Sequence, residues 1–104
     1  VKTELIHGGL HIDARGVLCF VNDFDFQGVD RFYTVRAHTV NEPRGWVGHR
    51  TEHKWFSPLA GTMLISVVAP DDWEHPSSDL LVQRYVLSYL KPAVLHVPAG
   101  YATA

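Results

Sequence analysis

Apolar residues in this chain fall in short runs, each closed by glycine, proline, asparagine or aspartate, and this rhythm excludes a helical fold before any motif is read. The runs are Val17 to Val21, Arg31 to Arg36, His53 to Ser57, Met63 to Val68, Leu81 to Leu87 and Val94 to Val97. They are rich in β-branched and aromatic residues, which suit a pleated surface, and none sustains a 3.6-residue period. Asp71-Asp72 and Pro76-Ser77-Ser78-Asp79 read as turns, while Pro92, Pro98 and Gly100 bracket the last run. Many short strands with frequent turns predict an all-β fold, a barrel or a double-sheet jelly roll.

The 104 residues predict a single domain over 1–104, near the size at which oligomerisation usefully buries extra apolar surface. The chain stops at Thr103-Ala104 just after a strand, so the C-terminal strands of a closed barrel are expected to lie outside it. A net charge of -2 with 19% charged residues, and no block of like charge, gives no attraction for nucleic acid or an anionic membrane. No apolar stretch reaches the ~18 residues that span a bilayer, and the first residues lack a secretion signal's basic-then-apolar order. A cytoplasmic location is the expectation. The lone Cys19, inside Val17-Leu18-Cys19-Phe20-Val21, is expected to be a buried small hydrophobe, and no disulfide framework exists.

The chemistry concentrates in Arg44-Gly45-Trp46-Val47-Gly48-His49, followed by Lys54 and Gly61 and later by Pro98-Ala99-Gly100. This frame resembles the two cupin motifs, which in their metal-binding form supply two histidines one residue apart, a glutamate and a third histidine. The corresponding positions are Val47, His49, Lys54 and Thr103. Only His49 can be a ligand, and an ammonium among the ligands repels a divalent cation, so neither a metal nor another cofactor is expected.

The same exchanges resemble the metal-free cupins that act on nucleotide sugars, the dTDP-4-dehydrorhamnose 3,5-epimerases and dTDP-4-keto-sugar 3,4-ketoisomerases. Four segments carry the resemblance, in order: Asp13-Ala14-Arg15-Gly16, Arg31-Phe32-Tyr33, Arg44-Gly45 with His49, and Leu95-His96-Val97-Pro98-Ala99-Gly100-Tyr101. Lys54 stands seven residues before Gly61, as in the epimerases. The resemblance implies a cupin-like double-stranded jelly-roll barrel and a homodimer, the latter also suggested by more aromatic surface than one small core needs. It implies isomerisation or epimerisation of a nucleotide-linked 4-keto-6-deoxyhexose in polysaccharide sugar synthesis. Moving a proton beside a ketone needs a base for the C–H and a cation or donor for the enolate oxygen. By resemblance His49 handles the proton and Lys54 the enolate, while Arg15 and Arg44 meet the nucleotide or its diphosphate.

The chain departs from that family where the catalytic base of the epimerases would stand, because the position holds Val47, which transfers no proton. A catalytically silent sugar-nucleotide binder therefore stays open beside the enzyme, as does a structural cupin domain. Each site residue also has a plainer reading: a satisfied structural histidine for His49, an edge lysine for Lys54, a turn residue for Arg15 and a solvated side chain for Arg44. Trp46, Trp55, Trp73 and Phe56 are expected in core or interface packing, and His7, His11, His38, His75 and His96 share no spacing. Asp71-Asp72 with Glu74 lacks the spacing of a calcium loop, and neither a nucleophile elbow nor a phosphate-cradling glycine loop occurs.

Overall fold

Alternation of inward apolar and outward polar residues folds the chain into two antiparallel sheets with a small core between them. The computed structural model describes residues 2–104, and among these every regular element is a strand: β1 (Glu4–His7), β2 (Gly9–Asp13), β3 (Gly16–Phe20), β4 (Val47–His49), β5 (Lys54–Phe56), β6 (Thr62–Val68), β7 (Gln83–Ser88), β8 (Ala93–Val97) and β9 (Tyr101–Thr103). One sheet has the order β1-β8-β5, the other β4-β9-β6-β7, and β2-β3 forms a separate ribbon. Ile65, Val67 and Leu87 from the four-stranded sheet meet Leu95 and Val97 from the three-stranded one, with Leu5, Phe56, Tyr85 and Tyr101 packed against them. Burying each such aliphatic side chain contributes about 1.5–3 kcal/mol. No helix among the described residues is long and apolar enough to cross a membrane.

The chain passes between the sheets at Pro98-Ala99-Gly100. Gly100 turns there with φ 95°, a left-handed value that a side chain would strain, and its N–H donates to the His49 carbonyl at 2.8 Å. This corner ties the end of β8 to the end of β4, so His49 on one sheet and the first residues of β5 on the other lie at the same end of the sandwich.

Three expectations need correction. Arg31 to Arg36 is not a strand: among the described residues, 21–46 join no sheet, and Phe32, Tyr33 and Val35 are exposed. Cys19 is exposed, because β3 has no sheet above it; Cys19 shares one face of the β2-β3 ribbon with Leu10, Ile12 and Val17, and its Sγ lies 3.9 Å from the Tyr89 carbonyl. β1 and β2, which the sequence leaves unassigned, are strands separated by Gly8, where the Phe20 carbonyl occupies the space a Cβ would need.

The β2-β3 ribbon turns at Ala14-Arg15 between the paired residues Asp13 and Gly16. The Asp13 carboxylate accepts the Arg15 backbone N–H at 2.9 Å and its guanidinium at 2.7 Å. Those bonds hold the Asp13 carboxyl below its ordinary range. A two-stranded ribbon is marginal in water on its own, and here Ile12 and Val17 are 68% and 60% exposed. The accessible surface is 8169 Å², whereas about 5,900 Å² is usual for a monomer of this mass. The radius of gyration, 15.2 Å, likewise exceeds the ~13 Å of a typical domain of this length.

Candidate functional site

The register of β4 on β9 sets up the candidate site. Val47 lies opposite Thr103 and His49 opposite Tyr101, and Thr103 in turn lies opposite Val67 of the core. Opposed residues of an antiparallel pair point to the same face, so Val47, His49, Tyr101 and Thr103 share the inner face. On the facing sheet Lys54 pairs with Val97 and Phe56 with Leu95, which puts Lys54 on the core side of β5. Its ammonium lies 5.9 Å from the Phe56 ring centroid. Val47 and Thr103 bring no imidazole to this face, and a divalent cation would find only one among these four residues.

His49 Nδ1 lies 3.5 Å from a Glu52 carboxylate oxygen, while Nε2 is buried and has no hydrogen-bond partner among the described residues. A carboxylate at Nδ1 favours the proton on that nitrogen and leaves Nε2 with a free lone pair, the form a general base requires. Leaving such an atom unpaired inside a protein costs about 1–3 kcal/mol. Burial lowers the Lys54 pKa; the positive charges of Arg31 and Arg44 push it the same way, and Glu52 opposes them. Glu52 is thus the common neighbour of His49 and Lys54, and Arg44 is close enough to be felt by Lys54.

Arg15 stands apart. Its side chain is 89% exposed at the ribbon tip and bonded to Asp13, so within one chain it sets a turn and does not join the other three. Sequence reasoning missed Glu52, which belongs to no motif, and gave no site role to Arg31 or Tyr101, although Arg31-Phe32-Tyr33 and the glycine-aromatic pair at Gly100-Tyr101 mark them. A cleft of about 500 Å³ opens at this end of the sandwich, lined by Tyr101, Tyr85, Thr3, Gln83, Val67 and Leu81 among others. Thr3 and Tyr85 share a hydroxyl–hydroxyl hydrogen bond of 2.6 Å there. Neither this cleft nor a smaller one of about 230 Å³ at the opposite end, by His7 and Lys91, is lined by Arg15, Arg44, His49 or Lys54; of Val47, His49, Tyr101 and Thr103, only Tyr101 reaches the larger one.

Behind His49, the six-membered ring of Trp73 packs against Gly48. A Cβ at position 48 would come within 2.5 Å of the Trp73 ring, and the Arg50 guanidinium sits 5.4 Å from the centroid of that ring. The loop carrying Trp73 is closed by its own aspartates: Asp72 accepts the Glu74 and His75 N–H groups, and Asp71 accepts the N–H of Ser77 at 3.0 Å. Those aspartates are turn-builders, as the sequence suggests. Gly48→Ala is expected to expel the indole, lower stability by about 1–3 kcal/mol and shift tryptophan emission to the red. A urea midpoint and emission spectrum equal to those of the parent chain would show that Trp73 does not buttress β4.

Comparison with protein-family models, with curated proteins and with solved structures finds no match.

Proposed function

We propose that this chain is a metal-independent isomerase or epimerase of a nucleotide-linked 4-keto-6-deoxyhexose, built on a cupin-like jelly-roll framework and working by enolisation. The observation that carries the reading is the pairing of a buried, unpartnered His49 Nε2 with an inward Lys54 on the facing sheet. The C–H proton beside the ketone passes to Nε2, its electron pair moves to the carbonyl oxygen, and the Lys54 ammonium holds the oxyanion. Return of a proton to carbon completes the isomerisation, and the Tyr101 phenol, across from His49 in register, is the residue suited to supply it. Glu52 orients the imidazole, and the Arg44 guanidinium, whose charge reaches Lys54, neutralises the diphosphate.

A catalytically silent sugar-nucleotide receptor is the second reading, favoured by Val47 at the position where the epimerases hold their base. Proton NMR of the protein with a dTDP-4-keto-6-deoxyhexose in heavy water separates the two. Exchange of the ring protons beside the ketone marks an enolising enzyme; line broadening without exchange marks a receptor; neither effect overturns both readings.

The same proposal includes a homodimer. The surface in excess of a usual monomer's, about 2,300 Å², is what a substantial subunit interface covers, and the apolar face of the β2-β3 ribbon is its natural seat. Ile12→Glu is expected to convert a dimer into a monomer in analytical ultracentrifugation. A parent chain that sediments as a monomer at tens of micromolar would remove the dimer from the proposal.

A further inference from the structure

The outer face of the three-stranded sheet carries a group of rings that the candidate site does not use. His53 Nδ1 lies 2.9 Å from His96 Nε2. Their ring centroids are 5.2 Å apart, with planes 11° from parallel. A 2.9 Å N···N contact between rings stacked one above the other would bring the centroids much closer, so the two imidazoles meet edge to edge in nearly one plane. Trp55, opposite His96 in the β5-β8 register, lies 5.1 Å from the His96 centroid at 10° and 6.0 Å from that of His53 at 21°. These separations place the indole parallel and offset against the pair.

We propose that the His53–His96 hydrogen bond is a proton-operated latch that holds the short edge strand β5, and with it Lys54, against β8. Two imidazoles at this distance share one N–H between them, so one ring must donate while the other accepts. A first added proton leaves a donor and an acceptor still in line and keeps the latch closed. A second leaves two cations facing each other with no acceptor, and the contact opens. β5 has only three residues, and β8 is its partner in the sheet, so it has little else to hold it.

The charged groups around the pair fix the direction of the pH response. Glu4 on β1 lies opposite His96 and favours its protonation. Lys54 is on the other face of β5, and the nearby 21–46 segment meets Trp55 through uncharged Gly28, whose Cβ would lie 4.0 Å from the indole. Burial, then the neighbouring His53, lower the His96 pKa despite Glu4. A histidine whose folded pKa is depressed contributes stability that is fully present above its unfolded value of about 6.5. That stability is lost as pH falls below 6.5, and the loss levels off beneath the folded value.

The test follows backbone amide exchange of residues 54–56, corrected for the intrinsic pH dependence, from pH 7.5 to 4.5. Protection in the parent chain is expected to fall by about tenfold, the equivalent of losing one hydrogen bond at the upper end of its usual net worth. In the double variant His53→Asn, His96→Gln, whose amides stand in for Nδ1 and Nε2 without titrating, protection is expected to stay constant. An equal fall in both chains, or no fall in the parent, overturns the latch. Imidazole nitrogen NMR of the parent chain tests the same point without any variant: two coupled protonation steps support the shared proton, and two independent ordinary titrations refute it. Neither readout depends on the proposed reaction, so failure of the latch and failure of the enzymatic reading are distinguishable.

Discussion

His49→Ala is expected to abolish deuterium exchange beside the ketone, a loss of about 10²–10⁴-fold if the imidazole is the general base, while the protein stays folded. The second half of that expectation comes from the same atom as the first. Nε2 is buried without a partner among the described residues, so its removal strands no other group, and the contact given up is the 3.5 Å approach to the exposed Glu52. With Glu52 in solvent, a contact of this kind is worth at most about 1 kcal/mol. Glu52→Gln keeps the shape but not the charge at Nδ1 and is expected to slow exchange less than the alanine variant does. Lys54→Met keeps the aliphatic stem and is expected to reduce exchange with substrate still bound, because the ammonium serves the enolate more than the ketone. Exchange that persists at the parental rate in His49→Ala would remove this histidine from the chemistry.

The largest expected loss of stability belongs to Leu95→Ala. Leu95 is fully buried at the centre of β8, and its neighbours in register are Leu5 on β1 and Phe56 on β5. Truncation opens a cavity bordered by both sheets, and about 2–5 kcal/mol is expected from lost transfer energy and the unfilled space. That is a large share of the roughly 5–15 kcal/mol that small domains possess. Leu90→Ala, at a position 63% exposed, is expected to stay within about 0.5 kcal/mol and serves as the control. Equal urea midpoints for the two variants would mean that the sandwich does not close around β8.

How far the fold can be read from the sequence depends on whether a segment carries its own instruction or borrows it from a partner. β6, β7 and β8 are legible because their apolar residues, Ile65, Val67, Leu87, Leu95 and Val97, make the core. Arg31 to Arg36 has equally good strand composition and joins no sheet, since β-propensity describes fitness for a sheet and does not supply one. Its Arg31 guanidinium lies 5.4 Å from the Tyr33 ring centroid instead. Cys19 shows the converse: its apolar neighbours suggest burial, but the ribbon they build has an uncovered face. In the candidate site, His49 and Lys54 are conspicuous by their frame, whereas Tyr101 takes its place from the register of β9 on β4 and Glu52 from the connection between β4 and β5. The His53–His96 contact joins residues on elements far apart in the chain and leaves no local spacing to find.

β1 pairs with β8, Glu4 lying opposite His96, so β1 waits for a partner made about ninety residues later. At about 5–20 residues per second, synthesis alone imposes a delay on the order of ten seconds, whereas a local hairpin such as β2-β3 forms within microseconds. The nascent chain therefore holds β1 with no partner beside a ribbon that forms and opens quickly, and Leu5 remains without its core until Leu95 emerges. Order of manufacture and order of assembly are opposed in this topology, and the three-stranded sheet is completed from its middle strand outward.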